Sequence, residues 1–217
     1  MYSVLITAAG RGERLDLGYN KVLFEIKGKT ILAYSVEFFL KDKEVDEIIL
    51  VINQNDEEKI RDLFNEEKIK YVYGGITRQE SVLNGLKAVR NPYVFIHDGA
   101  RPYLENSDIK KIKEKLKTTA CVLGAKVKES LARMSFSKLK NYVNRDEYIL
   151  LKTPQAFKTE EILQAHLQAN EKNNSYTDDA SLYIEEMNKD VEVIEVNEMN
   201  IKMTTKLDIM ILEEILW

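Results

Sequence analysis

The chain has 217 residues, a net charge of −4, 44% hydrophobic and 31% charged residues, the balance of an ordinary globular domain. Net negative charge excludes bulk binding to nucleic acid or an anionic membrane as the main role, so a basic cluster has to act locally, and no apolar run is long enough to span a bilayer. The single cysteine, Cys121, excludes an intrachain disulfide and a cysteine-rich zinc site, and points to a reducing cytoplasm.

Taken in chain order, apolar Val4–Thr7 reads as a strand, with no basic segment or cleavage pattern of a signal peptide around it. It runs into Ala8-Ala9-Gly10-Arg11-Gly12-Glu13-Arg14-Leu15, with Lys21 shortly after. Small residues let a backbone close around phosphates, and Arg11, Arg14 and Lys21 repel one another unless an anion or acidic partner compensates. Leu15 stands where a dinucleotide fingerprint needs its third glycine, which weakens an NAD(P)-binding reading, and no P-loop spacing exists in the chain. The plain alternative is an ordinary strand-to-helix turn.

Further strands are expected at Glu47–Ile52, Lys70–Tyr73, Tyr93–His97, Ala120–Val127 and Val191–Val196. Helical patterns fall at Ile31–Lys41, Glu57–Phe64, Arg78–Val89, Ser107–Lys117, Thr159–Gln168, Thr177–Met187 and Thr205–Leu216. Continuously apolar strands alternating with helices predict an α/β fold with a mainly parallel sheet covered on both faces, with ligands beyond the carboxyl ends of the strands. Glu129 to Leu151 departs from this alternation. Two extended segments, Ser130–Phe136 and Tyr142–Leu151, flank the polar turn Ser137–Asn141 and predict an inserted hairpin. A lone hairpin is marginal in water, so residues 129–151 are expected to pack on a second subunit or fold back on their own domain. One domain, residues 1–217, with an arm is the expected organisation.

Three later groups carry chemistry. Gly74-Gly75 precedes a helix with Arg78 and Ser81 in its first turn, where free N–H groups can meet an anion or a base edge; Thr77 and Glu80 also form a capping-box pattern. Asp98, after a buried strand, is placed to hold Mg²⁺ against a triphosphate. Gly99 and Ala100 leave room beside it, and Arg101 offers a fork for a phosphate monoester or an ion pair with Asp98 itself. With only His97 and His166 in the chain, a histidine-based metal site is not expected. Arg145, Thr153-Pro154-Gln155, Thr177-Asp178-Asp179 and Asn200-Ile201-Lys202 follow; Thr177 with the two aspartates is a good helix start.

Taken in order, A-A-G-x-G-x-R with a lysine seven residues on, G-G-x-x-R-x-x-S-V, H-D-G-A-R-P, V-x-R, T-P-Q and N-I-K resemble the 2-C-methyl-D-erythritol 4-phosphate cytidylyltransferase family, from Leu5 to Asp208. The resemblance implies a Rossmann-like nucleotidyltransferase fold, a homodimer made by exchanged arms, and a magnesium-dependent reaction of CTP with a polyol phosphate. By position it implies that Ala8, Ala9, Gly10 and Gly12 wrap the triphosphate, and that Arg14 and Lys21 neutralise charge in the transition state. Gly75, Arg78, Ser81 and Ala100 fall on the cytidine side. Asp98, Arg101, Thr153 and Lys202 match the polyol-phosphate pocket, with Ser130 and Arg145 supplied by the partner's arm. Asn20 replaces the family's usual proline, which predicts a looser approach of Lys21; Ser130 replaces a threonine and Lys206 a proline. A ribitol-phosphate cytidylyltransferase is the nearest alternative. A catalytically silent nucleotide-binding relative is a third, weakened by retention of Arg14, Lys21, Asp98 and Arg101.

Overall fold

The structure is a computed structural model that describes residues 1–10, 15 and 17–216; Gly12 and Arg14 lie outside the described residues. In chain order the elements are β1 (Tyr2–Thr7), β2 (Glu25–Ile26), β3 (Lys29–Thr30), α1 (Ile31–Leu40), β4 (Val45–Ile52), α2 (Glu57–Leu63), β5 (Ile69–Tyr73), α3 (Arg78–Leu86), β6 (Tyr93–Asp98) and α4 (Asn106–Lys115). They continue as β7 (Ala120–Lys126), β8 (Leu131–Ser135), β9 (Lys138–Val143), β10 (Ile149–Lys158), α5 (Thr159–Glu171), α6 (Asp179–Met187), β11 (Val191–Glu195) and α7 (Lys206–Ile215).

Strand side chains alternate between sheet faces, and both faces are apolar. Val4 and Ile6 of β1, with Ile48, Leu50 and Ile52 of β4, pack into one core with Phe39 of α1 and Ile112 of α4. Leu5, Ile49 and Val51 pack the opposite way, with Val82 of α3, Ile162 of α5 and Leu182 of α6. Continuous burial from Ile48 to Ile52 is what helices on both faces require. The fold is α/β, as expected.

Among the described residues the main sheet runs β11-β7-β10-β6-β1-β4-β5. β1 pairs in parallel with β4 and β6, β4 with β5, and β11 with β7; β10 runs antiparallel to both its neighbours. From β1 the chain moves outward to β4 and β5, then returns to place β6 on the other side of β1. The crevice beyond the carboxyl ends of β1 and β6 is therefore a topological switch point, where open α/β sheets bind ligands.

Two expectations are corrected here. The segment Tyr142–Leu151 is not one strand of a hairpin. Tyr142 and Val143 end β9, a short 3₁₀ turn covers Arg145–Glu147, and Ile149 begins β10, which enters the centre of the main sheet. The hairpin turn is also shorter than Ser137–Asn141: Ser135 pairs with Lys138, leaving Phe136 and Ser137 at φ 47° and 61°, the left-handed pair of a two-residue loop. β8 and β9 pair only with each other among the described residues. Their arm exposes Met134, Phe136, Leu139 and Tyr142.

A smaller apolar cluster joins Ile26 and Ile31 to Met203 and Leu212. It seats α7 and the segment before it across the site. There Met203 N–H donates to the Ala100 carbonyl at 2.9 Å.

Candidate active site

A pocket of about 720 Å³ opens at the switch point. The β1 loop contributes Ala9 and Gly10, the following 3₁₀ turn Lys21, the start of α3 Gly75, Arg78 and Ser81, the end of β6 Asp98 and Ala100, and the segment before α7 Lys202. Nine of the sequence-derived candidates thus share one cavity. Ala8 lies just behind it, buried, its N–H donating to the Val51 carbonyl at 2.7 Å.

Asp98 is the electrostatic centre. Its Oδ1 accepts from Arg78 Nε at 3.3 Å, and its Oδ2 meets Arg101 Nε at 3.3 Å and Lys202 Nζ at 2.9 Å. Burial alone would raise its pKa, but the charges of Arg78, Lys202 and Arg101 overcome that and hold it well below the usual carboxylate range. Arg78 also reaches Asp179 Oδ2 at 2.8 Å. Three cations thus face two carboxylates, leaving a positive excess before Lys21 is added. That balance suits a polyanionic ligand.

Asp98 is fixed from behind. Its backbone N–H donates to Thr153 Oγ1 at 3.1 Å. His97 Nε2 lies 3.0 Å from the Arg101 carbonyl, which can only accept, so the proton is on Nε2 and Nδ1 accepts the Thr153 hydroxyl at 3.0 Å. Burial pushes the His97 imidazole down to about 4, against the pull of the Asp98 charge. His97 is therefore a neutral strut. Thr153, expected in the polyol-phosphate pocket, spends its hydroxyl on this network beneath Asp98. Arg101 sits 9% exposed and donates to the Asn200 carbonyl at 2.9 Å, taking the ion-pair option rather than the open fork.

The two glycines ahead of α3 are set by close packing. A Cβ on Gly74 would lie 2.5 Å from Ala9 Cβ and 2.8 Å from Ser81 Oγ, and one on Gly75 would collide with Glu80. The capping box of Thr77 and Glu80 forms as the pattern predicts. Ser81 Oγ accepts the Gly75 N–H at 3.0 Å. For α6 the cap is Asp178, not Thr177: Asp178 Oδ1 accepts the Ser181 N–H at 3.0 Å.

Asn20 departs from the expected looseness. Its φ of −64° is the value a proline would impose, and its side chain is 4% exposed. Nδ2 donates to the Ala8 carbonyl at 2.7 Å and to Asp56 Oδ2 at 2.9 Å, while Oδ1 accepts the Val22 N–H at 3.3 Å. Lys21 is thereby tied to the β1 loop, and its Nζ donates to the Met203 carbonyl at 2.5 Å.

Ser130 and Arg145 stand apart, on the arm. Arg145 hydrogen-bonds the Lys128 carbonyl, and neither residue lines the pocket. Gly12 and Arg14 lie outside the described residues. Asn20, Asn200, Asp179 and His166 were not among the candidates; the N-I-K and T-D-D strings marked two of them, but nothing in the sequence brings β10, α5 and α6 to the same carboxylate. Among the described residues no group of three or more His, Cys, Asp or Glu could hold a metal ion, and no helix is long and apolar enough to cross a membrane.

The family model for IspD, 2-C-methyl-D-erythritol 4-phosphate cytidylyltransferase, matches residues 2–217. The chain is 39% identical to the 2-C-methyl-D-erythritol 4-phosphate cytidylyltransferase of Halalkalibacterium halodurans, over 99% of its own length and 96% of the relative's. It is 37% identical to the enzyme of that name from Clostridioides difficile, over 100% and 94%. It is also similar to the crystal structure of 4-diphosphocytidyl-2C-methyl-D-erythritol synthase from Anaerococcus prevotii, with a TM-score of 0.88 at 32% identity, covering 99% of this chain and 95% of that one. Sequence and fold agree along the whole length, and the chain belongs to the 2-C-methyl-D-erythritol 4-phosphate cytidylyltransferase family.

Proposed function

We propose that the chain joins CTP and 2-C-methyl-D-erythritol 4-phosphate into the cytidine-diphospho-polyol, releasing pyrophosphate, in isoprenoid precursor biosynthesis. A phosphate oxygen of the polyol forms a bond to the α-phosphorus of CTP. The bond from that phosphorus to its β-bridging oxygen breaks, and the electron pair leaves with pyrophosphate. The nucleophile is already ionised at neutral pH, so no protein base is needed. What the reaction needs is alignment of two mutually repelling anions and cations where charge accumulates.

The observation that carries this reading is the Asp98 hub: one carboxylate holding Arg78, Arg101 and Lys202 beside a cavity of about 720 Å³. Arriving phosphates exchange for Asp98 on these cations. Lys21 and Arg14 act on the transition state, Ala8, Ala9, Gly10 and Gly12 on the triphosphate, and Gly75, Arg78, Ser81 and Ala100 on the cytidine. Asp98, Arg101 and Lys202 receive the polyol phosphate, with Thr153 holding Asp98 from behind.

Asp98 is the sole carboxylate among the described pocket-lining residues. That donor set does not suit a metal held by protein alone, but it fits magnesium carried in on substrate phosphates, which takes one or two protein carboxylates. When bound, the ion supplies charge neutralisation of the phosphates. The working form is a cytoplasmic homodimer in which the partner's arm brings Ser130 and Arg145 to the site; the exposed apolar arm residues support it.

The test is pyrophosphate release with CTP and Mg²⁺ against methylerythritol 4-phosphate and ribitol 5-phosphate. Release with the first alone is expected. Release with ribitol 5-phosphate alone would reassign the substrate, and release with neither would remove the enzyme reading.

A further inference from the structure

Behind the pocket, Arg78 is shared between two carboxylates. Its Nε contacts Asp98 Oδ1 at 3.3 Å, while its terminal Nη2 makes the closer contact, 2.8 Å, to Asp179 Oδ2. Asp179 is 1% exposed and His166 is 1% exposed. His166 Nε2 lies 3.2 Å from the second Asp179 oxygen, and its Nδ1 has no hydrogen-bond partner among the described residues. Burying an ionised carboxylate is costly unless it is paired. Here burial raises the Asp179 pKa, but the Arg78 charge and the His166 hydrogen bond bring it down to about 2.

The T-P-Q and T-D-D strings build this arrangement. Gln155 of β10 accepts the Ala180 N–H on Oε1 and donates from Nε2 to Asp178 Oδ2, both at 2.8 Å. That two-way clamp fixes the first turn of α6 and with it Asp179. On the other side Gln79 donates to the Asn174 carbonyl and accepts the Tyr176 N–H, both at 3.0 Å, so α3 and the approach to α6 are locked together.

We infer that Asp179 is a positioning residue for Arg78, holding the guanidinium in the nucleotide pocket after substrate takes Asp98 away from it. The inference rests on the nucleotide reading of the pocket. Asp98 has three cationic partners and exchanges them when phosphates arrive. Asp179 faces His166 and Arg78, away from the pocket lining, so its hold on Arg78 persists. Without the Asp179 charge, Arg78 turns fully onto Asp98 and competes with the ligand.

The experiment is calorimetric titration of CTP, with Mg²⁺, into wild-type protein and Asp179→Asn, alongside thermal unfolding and the KM for the polyol phosphate. We expect CTP to bind Asp179→Asn about tenfold more weakly, with a smaller change in the polyol-phosphate KM, and Asp179→Glu to recover part of the loss. A residue that served the fold alone would lower Tm and leave CTP affinity of the folded protein unchanged; that result overturns the inference. If Asp179→Asn does not fold, His166→Phe removes the donor that orients Asp179 while keeping the Asp179 and Arg78 side chains. Weaker CTP binding by this variant supports the inference, and unchanged binding overturns it. Wild-type protein that fails to bind CTP would instead remove the nucleotide reading itself.

Discussion

Lys202 Nζ lies 2.9 Å from Asp98 Oδ2 while its side chain remains one-third exposed, against 7% for the aspartate. A partly exposed ammonium on a buried carboxylate can be drawn off by an incoming phosphate without unpacking anything. Arg78 and Arg101 are the less exposed of the three cations on Asp98. Lys202→Ala is therefore expected to raise the KM for the polyol phosphate roughly ten- to a hundredfold, the worth of one charge-assisted contact, with little effect on Tm. Steady-state kinetics with each substrate varied in turn checks it; an equal rise in the CTP KM would mean that Lys202 serves both phosphates.

Asn20 and Lys21 make a second pair. Asn20→Ala leaves the buried Ala8 carbonyl and the Val22 N–H without their partner, a loss of about 1–3 kcal/mol for an unsatisfied buried group. It also frees the turn that carries Lys21. Because Lys21 is assigned to the transition state, Lys21→Ala should lower kcat far more than CTP affinity, and Asn20→Ala should show the same split at smaller size. Asn20→Pro keeps the φ of −64° and should retain more activity than Asn20→Ala. Equal losses would place the effect in the side chain's hydrogen bonds, which both variants lack, and the reverse order would mean that the turn does not tolerate the proline ring.

These residues show how far the chain could be read before folding. The β1, β4 and β6 strands, the α3 capping box, and the Asp98 carboxylate with its Arg101 and Lys202 partners are local patterns, and each appears where its pattern lies. β10 was illegible as a central strand because Pro154 cannot donate to a ladder. The sheet admits it through a register break between Leu151 and Gln155. The arm's turn was illegible because Phe136 and Ser137 occupy left-handed positions that glycine or asparagine usually fill, while the polar run beside them is the solvent-exposed strand β9. The Asp179–His166 pair depends on β10, α5 and α6 meeting in space, and no spacing along the chain encodes that.

His97 gives a pH signature. An unfolded histidine titrates near 6.5, whereas burial holds His97 at about 4. Between those values the unfolded chain binds a proton that the folded protein does not. Stability from this group is therefore intact above about 6.5, and falls by up to about 1.4 kcal/mol per unit as pH drops toward 4. Below about 4 this contribution flattens. Urea unfolding of wild type and His97→Gln at several pH values isolates the effect, since the carboxylates titrate in both. The wild-type curve should be the steeper across that window, and parallel curves would show that His97 is not buried as a neutral ring.

The arm supplies the last prediction. β8 and β9 form a separate two-stranded sheet whose Phe136 is 96% exposed and Tyr142 80% exposed, and a lone hairpin with such a face is marginal in water. Arg145, on the turn after it, is not among the described pocket-lining residues, and its guanidinium bonds the Lys128 carbonyl just before the arm. If each site needs Arg145 from a second copy, Arg145→Ala and Lys21→Ala proteins are each inactive for different reasons. Mixed under conditions that exchange subunits, a mixed dimer carries one site with both residues intact. Activity should then return to about a quarter of wild type for random pairing of equal amounts, because half the dimers are mixed and each has one whole site of two. Labelled subunits that exchange without any recovery would assign Arg145 to its own chain's surface and remove the shared site.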